Sequence, residues 1–256
     1  MSPMLSLAGV TAGYGGQPVV NGISFSIAPG EFCALLGLNG SGKTTLLKAV
    51  CGLLPMESGH CSVNGQDCTN FNEYRRARLI SYMPQRHSKL QGVSVLDAVM
   101  MGFNARLGFL EFPAAPDRAL ALEALIREGL GHLAGEDFSR LSEGQKQMVI
   151  LIRTLIQNTP AVLMDEPDSA LDFLNRRGMF AKIRQMIHSE GKAGLAALHD
   201  PNFALAYCDR LILLHKGKIV SDISTSEAGR EDIQLGLSKI YGGFTLLEHN
   251  GTYVIV

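Results

Sequence analysis

A glycine-rich run near the amino terminus has the composition of a phosphate-binding loop. Residues 37–44 read Gly-Leu-Asn-Gly-Ser-Gly-Lys-Thr and fit the pattern G-x-x-x-x-G-K-[ST] at every position. In such a loop the backbone N–H groups surround a β-phosphate, and the following helix adds its positive end. The Lys43 ammonium would reach the β- and γ-phosphates, and the Thr44 hydroxyl can ligate Mg²⁺. The loop predicts a magnesium-nucleotide site, with a plain glycine turn as the structural alternative.

Two adjacent carboxylates, Asp165 and Glu166, follow the apolar residues 161–164. Mg²⁺ keeps much of its hydration shell and binds one or two carboxylates, so Asp165 is the predicted metal residue. A second carboxylate can accept a proton from the attacking water or orient it, so Glu166 is the predicted base. The alternative is an acid pair that caps a helix at the end of a strand. The phosphate loop favours the metal and base roles.

A second phosphate-binding helix start is indicated at residues 141–145, which read Leu-Ser-Glu-Gly-Gln. Ser142 and Gln145 have the spacing of a capping box. Ser142 and the Gly144 N–H would form an anion site at the beginning of that helix. Because residues 37–44 already hold a nucleotide, this second site suggests a nucleotide shared between two copies of the chain.

The predicted elements that position these residues alternate between strands and helices. They are strands at 5–14, 19–27 and 31–36, a helix at 43–54, a strand at 161–164, a helix at 175–189, a strand at 194–198, and hairpins around Lys216-Gly217 and Asn250-Gly251. A strand, a glycine loop and a helix in this order begin a βαβ unit. The pattern predicts an α/β protein.

Strand patterns disappear between about residue 88 and residue 157, where the apolar spacing is helical. The expected helices are at 96–101, at a segment capped by Asp117 that carries Leu122, Leu125, Ile126, Leu130 and Leu133, and at a segment that carries Met148, Leu151, Ile152 and Leu155. We interpret this block as a helical subdomain inserted in the α/β core.

Composition narrows the class of protein further. Lys and Arg total 23, Asp and Glu total 24, and the net charge of −1 argues against a nucleic-acid partner. We expect no transmembrane helix, because no run of about 18 apolar residues occurs. We also expect no secretory signal, because no basic region precedes a long apolar core. The 5 scattered Cys residues are interpreted as free thiols in a reducing compartment.

Taken together, these motifs resemble those of the ATP-binding subunit of an ABC transporter over nearly the whole chain. They are the Walker A loop at 37–45, the Q-loop at Gln85, the signature at 141–145, the Walker B strand at 162–166, the D-loop at 169–172 and the H-loop at His199. The resemblance implies a P-loop NTPase core with an antiparallel β subdomain and an inserted helical subdomain. We expect a single domain at 1–256, in which 1–87 and 158–256 form the core with its β subdomain and 88–157 form the helical subdomain.

The resemblance also implies the site residues, with ATP and Mg²⁺ as cofactors. The nucleotide-binding residues would be Tyr14, Gly37, Asn39, Gly40, Ser41, Gly42, Lys43, Thr44, Thr45, Ser142, Gly144, Gln145 and Asp172. The metal residues would be Thr44, Gln85 and Asp165, and the catalytic residues Glu166, His199 and Gln85. Two copies would sandwich two ATP molecules head to tail, so that Ser142 and Gly144 of one copy face the γ-phosphate bound by the other.

Four stretches resemble the ATPases of bacterial importers for iron-siderophore, haem and cobalamin. They are residues 80–85, 94–102, 199–202 and 240–242. This implies integral membrane permease subunits that bind the helical subdomain, an indirect link to a substrate-binding protein, and a peripheral location on the cytoplasmic face of the inner membrane. Zinc- or manganese-importer ATPases, a soluble ABC-type ATPase of iron–sulfur assembly, and a nucleotide sensor with little turnover are the alternatives.

Three residues depart from the family pattern. Glu143 replaces the usual signature glycine, Met148 stands where Arg is frequent, and Asp168 replaces a common Thr or Ser. None of them removes a phosphate ligand or the base, so the departures bear on the rate of hydrolysis. A Glu143 carboxylate facing the opposite γ-phosphate is expected to weaken ATP-driven closure, because like charges repel.

Overall fold

The computed structural model describes residues 2–85, 90–108, 111–249 and 251–256. The strands are β1 (Leu5–Tyr14), β2 (Gln17–Ile27), β3 (Phe32–Leu36), β4 (Ser58–Val63), β5 (Gln66–Asp67), β6 (Ile80–Met83), β7 (Ala161–Asp165), β8 (Ala193–Leu198), β9 (Arg210–His215), β10 (Lys218–Ser224), β11 (Leu246–His249) and β12 (Thr252–Ile255). The α-helices are α1 (Lys43–Cys51), α2 (Glu73–Ala77), α3 (Val95–Met100), α4 (Ala115–Arg127), α5 (Glu143–Ile156), α6 (Phe173–Glu190), α7 (Pro201–Tyr207) and α8 (Arg230–Tyr241).

A six-stranded sheet in the order β10-β9-β3-β8-β7-β6 carries the predicted site. Strand β3 pairs in parallel with β8 and β9, and β7 pairs in parallel with β8 and β6. Every residue of β3, β7 and β8 is buried, as expected for parallel strands covered on both faces. Since neighbouring parallel strands end at one edge, the phosphate loop, Asp165 and His199 emerge side by side.

Two hydrophobic cores cover the two faces of this sheet. Side chains alternate along β3, so that Ala34 and Leu36 pack with the helices α3 to α8, whereas Cys33 and Leu35 pack with α1 and the antiparallel strands. The antiparallel sheet has the order β2-β1-β4-β5. The predicted α/β class, with an antiparallel β sheet beside a parallel core, is confirmed.

The helix after the phosphate loop is shorter than predicted. Helix α1 ends at Cys51, and Gly52 follows in the left-handed conformation with φ 78°. A glycine adopts this conformation without the steric cost that a Cβ imposes, and it commonly ends a helix. The buried Leu54 continues the apolar spacing beyond the helix, and this explains the overestimate.

The prediction that Asp117 is the N-cap residue of a helix is wrong. Helix α4 begins at Ala115 with Ala114 as its N-cap, and the Asp117 carboxylate accepts a hydrogen bond from the Ala114 N–H at 2.8 Å. The helix also ends at Arg127, so Leu130 and Leu133 lie beyond it. On α4 itself Leu125 is buried, whereas Leu122 and Ile126 are exposed.

The block between β6 and β7 is helical in the part that the structure describes. Helices α3, α4 and α5 pack together there, and residues 90–108 and 111–157 form no strand beyond an isolated bridge between Ser94 and Asp137. An ion pair between Lys182 of α6 and Glu128, 2.5 Å apart, connects this block to the core. The predicted boundary at residues 87 and 88 lies outside the described residues.

The carboxyl-terminal hairpin packs against α7. Strands β11 and β12 pair as predicted, and Gly251 of the turn has φ 74°, whereas Asn250 lies outside the described residues. The Asn202 side chain at the start of α7 accepts from the Ile255 N–H at 2.7 Å and donates to the Ile255 carbonyl at 3.4 Å. Across the described ranges, no helix has the length and apolar character needed to cross a membrane.

Candidate functional site

The phosphate loop connects β3 to α1, and its shape requires glycine at two positions. A Cβ on Gly37 would lie 2.4 Å from the Leu214 carbonyl oxygen, and Gly42 has φ 108°. Lys43 folds over the loop, and its Nζ donates to the Gly37 carbonyl at 2.6 Å. Burial lowers the pKa of Lys43 from its ordinary value, while the Glu166 and Asp165 carboxylates oppose this shift.

The Ser41 hydroxyl is buried in this loop and has no hydrogen-bond partner. A buried polar atom without a partner costs free energy, and a phosphate oxygen would supply the missing bond. The loop, with this hydroxyl and the Lys43 ammonium, therefore fits a polyphosphate.

Thr44 and Asp165 form the candidate metal site. The Thr44 Oγ1 donates to Asp165 Oδ1 at 3.1 Å, and the hydroxyl of Tyr82 on β6 donates to Asp165 Oδ2 at 3.3 Å. Burial raises the pKa of Asp165, and the bonds from Thr44 and Tyr82 oppose that shift. A hydroxyl and a carboxylate are the hard oxygen donors that Mg²⁺ prefers, so the residues fit this ion.

The Glu166 carboxylate contacts two other predicted catalytic side chains. Its Oε2 accepts from Gln85 Nε2, and its Oε1 pairs with His199 Nε2. Glu166 has a φ of 51°, a left-handed conformation that is rare for a residue with a Cβ. Glu166 directly follows strand β7, and the Glu166 N–H donates to the Ala197 carbonyl at 3.1 Å. The structure therefore brings the three predicted catalytic residues together.

A cleft of about 450 Å³ lies in front of the loop. Its lining residues are Val19, Asn39, Gly40, Ser41, Gly42, Lys43, Thr44, Thr45, Gln85, Glu166 and His199. Most predicted phosphate and catalytic residues therefore share one cavity. Tyr14, predicted to stack on the base of the nucleotide, is not part of the lining and is half exposed.

The predicted signature residues lie away from this cleft. Ser142 and Gln145 form the predicted capping box of α5, with hydrogen bonds of 3.3 and 2.9 Å. A Cβ on Gly144 would lie 3.4 Å from the carbonyl oxygen of Ala170 in the D-loop. Ser142, Gly144 and Gln145 do not line the cleft that contains the same chain's phosphate loop. The start of α5 is therefore a surface separate from the cleft.

Two acidic residues hold the D-loop to the beginning of α6. Asp172 is the N-cap of α6, and its carboxylate accepts from the Asn175 N–H at 2.9 Å. Asp168 lies 3.5 Å from Arg176 Nε, and burial raises the pKa of the Asp168 carboxyl. In this single chain Asp172 therefore makes a local contact, and its predicted role between two copies stays a prediction.

Two residues of the site were not predicted from the sequence. Tyr82 contacts Asp165, and Gln147 of α5 donates to the Pro167 carbonyl at 2.8 Å. Gln147 precedes the predicted apolar residue Leu151 by four positions, so it lies on the face of the helix that is buried. A polar side chain on an apolar face was the available signal.

Comparisons with known proteins identify the family. Residues 20–169 match the family described as ABC transporter. The chain is 34% identical over 223 residues to the "Probable iron chelatin transport ATP-binding protein" of Helicobacter pylori, covering 87% of this chain and 88% of that protein. It is 35% identical over 234 residues to the "Hemin import ATP-binding protein HmuV" of Shewanella denitrificans, covering 90% of this chain and 91% of that protein.

A third relative has a different named cargo. The "Manganese transport system ATP-binding protein MntB" of Bacillus subtilis is 36% identical over 241 residues, covering 93% of this chain and 92% of the relative. Among solved structures, the dimeric bacterial ABC transporter cassette MJ0796 superimposes with a TM-score of 0.79 at 25% identity, covering 87% of this chain and 99% of the cassette.

The chain belongs to the ABC transporter family, and the predicted fold class is confirmed. Within that family it is an ATP-binding subunit that binds ATP and couples its hydrolysis to transport. The parallel sheet positions the phosphate loop, the metal carboxylate and the base, and a second surface at the start of α5 is separate from them.

Proposed function

We propose that this chain powers an ABC importer of metal complexes, of the kind that carries iron-siderophore, haem or cobalamin. The observation that carries the ATPase part is the contact of Glu166 with Gln85 and His199 in the phosphate cleft. The iron-chelate and haem names of two relatives support the cargo class. The manganese relative supports a metal-ion importer as the second candidate.

Catalysis follows from the placement of charge around the phosphates. Lys43 and the loop N–H groups would hold the β- and γ-phosphates, with Thr44, Asp165 and Gln85 around Mg²⁺. When bound, Mg²⁺ neutralises charge on the phosphate oxygens. The Glu166 carboxylate would accept the proton of the attacking water, and His199 would donate to the γ-phosphate. These side chains share one cleft, so the reaction depends chiefly on positioning and electrostatic stabilisation.

The chain would act as a head-to-tail dimer. Ser142 and Gly144 lie outside the cleft of their own chain, so they are available to the γ-phosphate held by a second copy. Asp172 would contact that copy at the D-loop, and Tyr14 would stack on the adenine. The dimeric cassette among the structural neighbours supports a dimer of this chain.

The helical subdomain would bind integral membrane permease subunits. Helix α4 exposes large apolar side chains: Leu120 is 52%, Leu122 37% and Ile126 61% exposed. Contact with another protein would remove these side chains from water. The chain would then lie peripherally on the cytoplasmic face of the inner membrane, and a substrate-binding protein would contact the permease rather than this chain.

The dimer is tested with two matched variants in size-exclusion chromatography with Mg-ATP. Glu166→Gln keeps the shape of the side chain but removes the base, so ATP should stay bound and trap a dimer. Lys43→Ala removes the charge on the β- and γ-phosphates and should stay monomeric. A Glu166→Gln protein that binds ATP yet stays monomeric, also when assembled with its permease, contradicts the sandwich.

The cargo is tested by reconstituting the chain with its permease in liposomes that contain ATP. Uptake of haem or a ferric siderophore, lost in Glu166→Gln, is the expected result. Uptake of Mn²⁺ alone would support the second candidate. Equal recovery of the chain in the cytosol with and without every candidate permease would support a soluble ATPase instead.

A further inference from the structure

A buried amide connects the helix of the signature to the turn that holds the base. Gln147 of α5 is 1% exposed, and its Nε2 donates to the Pro167 carbonyl at 2.8 Å and to the Glu166 carbonyl at 3.5 Å. The contact therefore joins α5 to the two residues that follow strand β7.

This turn is the part of the site that needs support. Glu166 holds a left-handed φ of 51°, which costs a residue with a Cβ about 1–2 kcal/mol. Such a conformation persists where the surroundings over-determine it. Glu166 N–H donates to the Ala197 carbonyl at 3.1 Å, and Ser169 N–H donates to the Glu166 carbonyl at 3.2 Å. Gln147 adds a restraint from a third element.

The identity of residue 147 also requires an explanation beyond packing. The neighbouring buried positions on α5 are mostly apolar: Val149, Ile150, Leu151 and Ile152. A buried amide lowers stability unless it is hydrogen-bonded, so an apolar residue of similar size would serve packing alone equally well. The Gln147 amide donates hydrogen bonds to the two carbonyls of the turn.

We propose that Gln147 is a positioning residue for the base Glu166. A shift of the turn would move the carboxylate away from Gln85 and His199, because backbone and side chain move together. The amide also makes the base sensitive to the position of α5. The link to the second nucleotide rests on the proposed function. In that dimer, Ser142 at the start of α5 faces the opposite nucleotide. Occupancy of that nucleotide would then reach Glu166 through one rigid helix.

The test compares Gln147→Met, which keeps length but removes the donors, with Thr154→Val. Thr154 is a buried polar residue on the same helix, and its hydroxyl bonds within the helix to the Ile150 carbonyl at 2.8 Å. Turnover of the assembled transporter should fall on the order of 10²-fold in Gln147→Met, since small displacements of reacting groups have such effects. ATP affinity should stay unchanged, and Thr154→Val should keep both values.

A double-mutant cycle shows whether Gln147 acts through Glu166. In the Glu166→Gln background, Gln147→Met should reduce the residual turnover no further, because the base is already absent. An equal loss in both backgrounds, or unchanged turnover in Gln147→Met, would overturn the proposal. Gln147→Asn, whose amide is one methylene too short, gives the same comparison if the Met variant does not fold.

The cycle is independent of the dimer. If Glu166→Gln binds ATP but fails to dimerise, also when assembled with its permease, the proposed sandwich is wrong, yet the turnover comparison of single and double variants still tests the positioning role. If the dimer forms and the cycle is additive, the positioning role is wrong and the sandwich stands.

Discussion

The hydroxyl of Tyr82 and the carboxylate of Asp165 lie on neighbouring parallel strands, with Tyr82 Oη 3.3 Å from Asp165 Oδ2. The opposite oxygen, Oδ1, accepts from Thr44 at 3.1 Å. One carboxylate is thus oriented from both sides, by the strand before the Q-loop and by the first turn of α1. Hydrogen bonds to outer residues of this kind orient metal ligands and tune their affinity.

Tyr82→Phe should weaken the metal site while leaving the fold intact. The ring keeps its packing, but Asp165 loses one donor, so the Mg²⁺ concentration for half-maximal ATP hydrolysis should rise about ten-fold, at the lower limit for outer-shell changes. Binding of Mn²⁺ with a non-hydrolysable ATP analogue, followed by electron paramagnetic resonance, measures the affinity directly. Tyr253→Phe on the carboxyl-terminal hairpin is the control. Equal metal affinity in the two variants would show that the Tyr82 hydroxyl has no such role.

Asn202→Ala should loosen the carboxyl-terminal hairpin and disturb the loop of His199. The side chain accepts from the Ile255 N–H at 2.7 Å, and His199 lies three positions before it. Loss of the bond should cost about 1 kcal/mol of folding free energy. Turnover should fall more than in the control Gln234→Ala. The Gln234 amide donates to the Phe244 carbonyl at 3.1 Å, and this bond does not involve α7. Denaturant unfolding and ATPase assays check both; equal turnover in the two variants contradicts the expectation.

Arg76→Met should destabilise the contact between α1 and the antiparallel sheet. The buried guanidinium donates to the carbonyls of Val50, Cys68 and Thr69 at 2.9, 2.7 and 2.7 Å. Methionine removes these three donors, while the Cys68 carbonyl keeps its bond from the Phe71 N–H at 3.1 Å, and the expected loss is about 1–3 kcal/mol of unfolding free energy. Urea denaturation measures it. Arg75→Met, at the exposed neighbouring position, should change stability little, and a similar loss there would contradict the assignment.

Asp168→Asn should change how stability depends on pH. Burial raises the pKa of Asp168 in the folded chain above its ordinary 3.8. Between pH 3.8 and this raised pKa, the folded state therefore binds more protons than the unfolded state. The contribution of Asp168 to stability therefore falls as pH rises from 3.8 through this raised pKa, and its ionised carboxylate lowers stability at neutral pH. The Asn variant should be the more stable at neutral pH, and its advantage should shrink as pH approaches 3.8. Denaturation across pH checks this; a constant difference excludes the titration.

Glu143 is paired within its own helix, which modifies the repulsion expected from its position. Its carboxylate accepts from Lys146 Nζ at 2.8 Å, and its side chain is 71% exposed. Lys146→Gln should therefore raise the ATP concentration for half-maximal hydrolysis at low salt, and Glu143→Gly should lower it only slightly. ATPase curves at two ionic strengths measure both. Identical curves for the natural chain and both variants would leave Glu143 as a helix-start residue.

The strands and helices next to the phosphate loop and the two carboxylates were predicted because they depend on local patterns, whereas β4, β5, β6, α2, α7 and α8 were not predicted. Glycine spacing, strand burial and the capping box of Ser142 and Gln145 depend on residues that are close together in the chain. The structure confirms the buried strand and the capping box. The error at Asp117 has a local cause too, since an acidic residue is equally suited to the N-cap and to the first turn of a helix.

Tyr82 and Gln147 could not be assigned in this way. Their partners, Asp165 and Pro167, are distant in the chain and become neighbours only through strand order and the packing of α5. The left-handed conformation of Glu166 likewise depends on bonds from β8 and α5 rather than on its residue type. Contacts between distant elements were therefore outside the reach of periodicity and spacing.

The pairing of β8 between β3 and β7 limits how this site can be altered. Leu36 lies opposite Leu198, and Asp165 lies opposite Ala197, so the exit of each strand is fixed by its neighbour. Deleting a single residue from β8 would turn the next side chain to the other face of the sheet. His199 would then leave the cleft while the phosphate loop and Asp165 kept their places. A length change in this strand is thus expected to misplace one site residue, and a deletion scan of β8 would separate nucleotide binding from hydrolysis.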